Sequence, residues 1–211
     1  MTTAREICAE APVIPVIVVE DLDHAAPLAE ALVAGGLRVL EVTLRSAVAL
    51  QAMQAMKAAM PEAIVGAGTV RNAADLAQAR AHGAVFGVSP GAPAALLEAV
   101  RADGMPFLPG CASATEAMAL ADAGFDTLKF FPAEAAGGAP FLKSLASPLP
   151  DLAFCPTGGI GLANAPDYLK LPNVLCVGGS WVVPGAMMQA GDWAGIEALA
   201  RDAVAALQPL R

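Results

Sequence analysis

The stretch Phe125–Gly138, FDTLKFFPAEAAGG, decides how the rest of the chain is read. Its first half has the pattern of a short buried strand, with Leu128, Phe130 and Phe131 around one lysine, Lys129. The chain has only four lysines, and the other three occupy ordinary positions. Lys57 lies on a helical pattern, Lys143 lies in FLKSLAS, and Lys170 closes a helix ahead of Leu171-Pro172. Only Lys129 interrupts an apolar strand. Burying an ammonium without a partner is costly, and the usual escape is loss of the proton. A neutral lysine is a nucleophile toward carbonyls, so Schiff-base chemistry is one reading. The other is a lysine whose stem packs at a strand end while its head reaches water.

Outward from this stretch, apolar β-branched runs alternate with Ala/Leu-rich helical runs along the whole length. The pattern predicts strands over 12–19, 38–44, 63–68, 84–89, 106–110, 126–131, 152–156 and 173–179. Between them it predicts helices over 24–34, from near Ser46 to before Pro61, and after an Asn72 cap. Further helices are expected over 94–102, over 115–123 behind a Ser113 cap, from near Pro140, over 163–169 and over 193–207. A short segment at 181–188 precedes the last of these. Eight strand–helix units in 211 residues average about 26 residues each, close to the smallest (β/α)8 barrel. The strands are continuous apolar runs, as parallel strands covered on both faces should be. An open doubly wound sheet would carry G-x-G-x-x-G after its first strand, and none is present. The predicted fold is therefore α/β, a single-domain (β/α)8 TIM barrel over residues 1–211.

Composition narrows the function. Hydrophobic residues make up 56% and charged residues 15%, an apolar balance that points to subunit interfaces and a homo-oligomer. Net charge is −8, with only 12 basic residues, so no basic stripe exists for nucleic acid. The cysteines Cys8, Cys111, Cys155 and Cys176 show no CxxC spacing, which suits a reduced, cytoplasmic protein. Cys155 and Cys176 fall in predicted strands as small apolar residues. Two histidines, His24 and His82, lie on separate helices, and no His/Cys/carboxylate set resembles a metal site. The apolar run 13–19 is too short to span a bilayer and contains Pro15, and no signal-peptide pattern follows it.

In a barrel, chemistry collects at the C-terminal ends of the strands. Strand alternation puts Val39, Glu41 and Thr43 on one face, with Arg45 continuing it if the chain stays extended. Glu41 and Arg45 could form a structural ion pair. Alternatively, with Lys129 opening to the same cavity, Glu41 could shuttle protons while Arg45 binds a substrate carboxylate. Thr157-Gly158-Gly159 and Gly178-Gly179-Ser180 follow the seventh and eighth strands, where this fold places phosphate. Paired glycines also make plain tight turns, as Gly35-Gly36 is expected to do.

The segments PVIPVIVV, ALVAGGLRVLEVTLR, PEAIVGAGTV, VSPG, LKFFPAEAAGG, FCPTGGI and VLCVGGSWVVP, in this order over nearly the whole chain, resemble the 2-keto-3-deoxy-6-phosphogluconate (KDPG) aldolases, which are class I aldolases. The resemblance implies a homotrimeric barrel without metal or cofactor that cleaves KDPG reversibly to pyruvate and glyceraldehyde 3-phosphate. Many members also act on 4-hydroxy-2-oxoglutarate. It implies Lys129 as the Schiff-base lysine and Glu41 as the general acid and base. Arg45 and Thr69 would hold the pyruvate carboxylate, and Pro90 and Phe131 would line the pocket. Thr157, Gly158, Gly159, Gly178, Gly179 and Ser180 would form the phosphate end. Cys111-Ala112, Ala136 and Gly161 depart from the family pattern; at Gly161 a serine is usual, so a hydroxyl cap is expected to be missing from the phosphate loop.

Three rival readings share these residues. One is an aldolase for the galactonate epimer, which would show in the relative cleavage of the two epimers. A second is an isomerase or epimerase, which needs no covalent adduct. The third is a non-catalytic sugar-phosphate sensor, which would gain stability from phosphate without releasing pyruvate.

Overall fold

Nine short strands alternate with ten α-helices among residues 2–210, the residues that the computed structural model describes. The strands are β1 (Val13–Ile17), β2 (Val39–Thr43), β3 (Ile64–Gly68), β4 (Gly87–Val88), β5 (Phe107–Leu108), β6 (Gly110–Cys111), β7 (Thr127–Phe130), β8 (Ala153–Pro156) and β9 (Val177–Gly179). The helices are α1 (Ala4–Ala9), α2 (Ala25–Ala34), α3 (Ala49–Ala59), α4 (Ala73–Ala81), α5 (Ala94–Asp103), α6 (Ala114–Asp122), α7 (Gly138–Leu145), α8 (Ala165–Leu169), α9 (Gly185–Ala190) and α10 (Trp193–Leu207). Every ladder is parallel. One curled sheet runs β5-β4-β3-β2-β1-β9, and a second runs β6-β7-β8.

The two sheets adjoin at both ends. The strand expected at 106–110 is split at Pro109, which has no N–H to give a ladder. Its first half pairs with β4 and its second half, with Cys111, pairs with β7. On the other side, isolated parallel bridges join Phe154 to Val174 and Thr157 to Gly178. The eighth expected strand, 173–179, is thus a single bridge at Val174 followed by the short β9.

Other boundaries moved for local reasons. The helix expected from Ser46 begins at Ala49. The Ser46 hydroxyl instead donates to the carbonyl of Val19, tying the turn to the end of β1. Asn72 and Ser113 cap as predicted, accepting from the N–H groups of Asp75 at 2.9 Å and Glu116 at 3.3 Å. Helix α1 has no counterpart among the predicted elements. Thr3 and Glu6 start it with a reciprocal capping box.

Packing follows strand alternation. Leu40 and Val42 face the helices within the larger apolar cluster. Val39 instead joins Ile14, Phe86, Val88, Leu108, Cys155 and Cys176 in a separate inner cluster, which also takes Ile7 and Cys8 of α1. The concave side of the curl is therefore filled in its lower layers. Gly66 makes room there, since a Cβ on it would lie 2.3 Å from the Phe86 ring.

Candidate active site

The layer above that filling is polar. Glu41 lies two residues beyond Val39 on the same face of β2, and Lys129 sits opposite Cys155 in the β7–β8 ladder. Their side chains meet: Lys129 Nζ donates to Glu41 Oε1 at 3.2 Å. The two side chains are only 8% and 4% exposed. Lys129 is thus neither a snorkelling surface amine nor an unpartnered one, because a buried carboxylate lies against it. The carboxylate is the group within reach of the lysine's proton, and an amine without that proton is a nucleophile toward carbonyls. Nζ also stands 5.3 Å from the centroid of the half-buried Phe131 ring.

Glycine and threonine place these groups. A Cβ on Gly68 would lie 2.3 Å from Glu41 Oε1, so only glycine at that point of β3 leaves room for the carboxylate. Thr43 donates its hydroxyl to the Ile17 carbonyl at 2.8 Å and accepts from Arg45 Nε at 3.1 Å. Of the two readings of Glu41 and Arg45, the structural ion pair does not form, because the chain turns after Thr43 and Arg45 reaches the exposed rim. Thr69 has φ 60°, a left-handed conformation that a β-branched residue rarely adopts.

Two depressions adjoin the strands that carry the pair, through Val16 opposite Glu41 and Gly110 opposite Lys129, without either side chain in their lining. Arg45 and Ser180 line one of about 760 Å³ with Val16, Val18 and Glu20. Pro90 and Phe131 line the other, of about 360 Å³, with Gly110 and Cys111. Burial, reinforced by Glu116, pushes the Cys111 thiol up to about 12, so it stays protonated.

The two glycine pairs have different causes. Gly158 and Gly159 adopt φ 104° and 78°, which glycine permits without strain. Gly178 and Gly179 make space: a Cβ there would lie 2.2 Å from Thr157 Oγ1 and 1.7 Å from the Trp181 ring. Thr157 is buried, and its hydroxyl has no hydrogen-bond partner among the described residues. No described residue accepts from the N–H groups of Gly158, Gly159 or Ser180. Such groups at strand ends can bind an anion. Gly161 offers no hydroxyl, as the sequence implies; its backbone N–H is held by Asn164, whose Oδ1 accepts from it at 2.8 Å.

Sequence reasoning missed the supporting residues Thr43, Gly68, Glu134, Asn164 and Tyr168. Asn164 alone carried a readable signal, as a residue with N-cap chemistry just before a helix. No group of three or more described His, Cys, Asp or Glu residues is arranged to hold a metal ion. No described helix is long and apolar enough to cross a membrane.

A buried lysine held against a carboxylate, with loop N–H groups left without a described acceptor at the end of the adjoining strand β8, suits a carbon–carbon lyase. The family model "KDPG and KHG aldolase" matches residues 4–199. The KHG/KDPG aldolase of Escherichia coli (strain K12) is 51% identical over 203 residues, 96% of this chain and 95% of that one. The 2-dehydro-3-deoxy-phosphogluconate aldolase of Zymomonas mobilis (strain ZM4) is 54% identical over 195 residues, 92% of each chain. A KDPG aldolase crystal structure from Legionella pneumophila, with pyruvate captured as a covalent carbinolamine, superposes with TM-score 0.94. It is 45% identical, covering 96% of this chain and 98% of that one. The chain belongs to the KDPG and KHG aldolase family and is a lyase.

Proposed function

We propose that the protein cleaves KDPG reversibly to pyruvate and glyceraldehyde 3-phosphate through an imine on Lys129, and also accepts 4-hydroxy-2-oxoglutarate. The observation that carries this reading is the 3.2 Å contact between Lys129 Nζ and Glu41 Oε1, two side chains only 8% and 4% exposed. Neutral Lys129 attacks the C2 ketone, and Glu41 delivers the proton with which water leaves the carbinolamine. The iminium then draws in the electron pair of the C3–C4 bond while Glu41 takes the C4 hydroxyl proton. Glyceraldehyde 3-phosphate departs. The enamine is protonated at C3, and water releases pyruvate and restores the amine.

The remaining residues orient the substrate in this reading. Arg45 and Thr69 hold the pyruvate carboxylate, with Arg45 steadied by Thr43. Pro90 and Phe131 line the pocket. Gly158, Gly159, Gly179 and Ser180 meet the phosphate through backbone N–H groups, beside Thr157 and Gly178. The split fifth strand and the two bridges support closure of both sheets into one (β/α)8 barrel, a single domain over 1–211. The enzyme works in the cytoplasm as a homotrimer.

Borohydride reduction in the presence of pyruvate tests the mechanism. It should leave a pyruvyl adduct on the peptide containing Lys129. Lys129→Arg should abolish both the adduct and turnover, because a guanidinium stays charged. An adduct on Lys57, Lys143 or Lys170, or none at all, refutes the assignment.

A further inference from the structure

The loop after β8 is held by a closed circuit of contacts outside the reacting centre. Its three successive carbonyls are all tied back. Thr157 O accepts from Ala133 N at 2.8 Å and Gly158 O from Glu134 N at 3.1 Å. Gly159 O accepts from Asn164 Nδ2 at 3.1 Å. With those carbonyls fixed, the N–H groups of Gly158 and Gly159 are turned the other way, where no described residue accepts from them. Glu134 contributes twice more. Its stem lies so close to Gly159 that a Cβ there would be 2.8 Å from Glu134 Cβ. Its Oε1 accepts from the hydroxyl of Tyr168, which is buried in α8. Asn164 stands at the N-terminal end of the same helix, and its side chain holds Gly161 N at 2.8 Å as well as Gly159 O. The circuit therefore runs from Glu134 through the loop to Asn164, along α8 to Tyr168, and back.

We infer that Glu134, acting through Tyr168, and Asn164 are positioning residues that hold the Gly158–Gly159 loop in the shape that grips the substrate's phosphate. The inference rests on the aldolase reading above. Removing the carboxylate opens the circuit and strands the buried Tyr168 hydroxyl without its acceptor, a penalty the loop must absorb by shifting. Lys129 and Glu41 lie outside the circuit, so the chemistry at C2 should not feel the change.

The test compares KM for KDPG with borohydride trapping of pyruvate, which carries no phosphate. Glu134→Ala should raise KM for KDPG about tenfold, the equivalent of one charged hydrogen bond, with kcat and the rate of pyruvate trapping unchanged. Tyr168→Phe keeps the ring packing and removes only the hydroxyl, so it should show the same selective rise. Glu134→Gln retains an acceptor for Tyr168 and should restore KM. If the Ala and Phe variants keep the wild-type KM, or lose KDPG cleavage and pyruvate trapping in parallel, the positioning role is wrong. A wild-type chain that traps no pyruvate overturns the aldolase reading instead, before any variant is compared.

Discussion

At the scale of single residues, the meeting of Lys129 with Glu41 was legible and its supports were not. Lys129 and Glu41 each interrupt an apolar strand, and alternation alone put Glu41 on the inner face. Gly68 reads in the sequence as one more glycine of AIVGAG. Its importance depends on which residue β3 sets beside Glu41, and that contact exists only in the folded sheet. The geometry makes it a demanding position. A methyl group on Gly68 would sit 2.3 Å from Glu41 Oε1 and 2.7 Å from Cγ, so the carboxylate must swing away from Lys129 Nζ. Gly68→Ala should therefore lower kcat for KDPG cleavage about a hundredfold, the cost of a displaced proton shuttle, with little change in KM. Steady-state kinetics with a matching circular dichroism spectrum would check this. A kcat within twofold of wild type would mean that Glu41 reaches Lys129 from another rotamer.

Elements were legible where periodicity is long and hidden where it is short. The strand–helix alternation, Asn72 and Ser113 all read correctly because each rests on a local signal. The split at Pro109 could be anticipated from the missing N–H, but the change of partner from β4 to β7 is a property of how the two sheets adjoin. Helix α1 has six residues, too few for a hydrophobic period; only Thr3 and Glu6, spaced as a capping box, announce it. Its place is nevertheless specific. Arg5 reaches Asp126 at 3.5 Å and the Asp151 carbonyl at 3.2 Å, residues just ahead of β7 and β8. Helix α1 thus covers the N-terminal ends of the strands, opposite the Lys129–Glu41 pair, and inserts Ile7 and Cys8 into the inner cluster. Ile7→Ala should cost about 2–5 kcal/mol in urea unfolding, the range for emptying a buried aliphatic site. KM for KDPG should stay at the wild-type value, because the plug and the phosphate loop lie at opposite strand ends. A raised KM at full stability would place α1 in the site instead.

For the whole molecule, the apolar composition suggested covered surfaces, and the structure shows where much of that hydrophobicity resides. The accessible surface is 8770 Å², against about 9,100 Å² expected of a compact monomer of 21.2 kDa. Among the described residues there is therefore no extended arm to exchange with a partner. Among the described residues, the large hydrophobics left exposed are Leu22, Val85, Met118 and Leu162, on four separate segments. The homotrimer proposed above would then form by docking preformed faces. The residues proposed for the reaction all come from one chain: Lys129 and Glu41 touch within it, and the Gly158–Gly159 loop is tied to Glu134 and Asn164 of that same chain. Two outcomes are expected from light scattering over a dilution series. At high concentration the mass should be that of three 21.2 kDa chains. On dissociation each protomer should remain folded and still trap pyruvate on Lys129 at the rate measured for the trimer. Loss of the adduct at the concentration where the trimer comes apart, with the circular dichroism spectrum intact, would show that a neighbouring subunit completes the site.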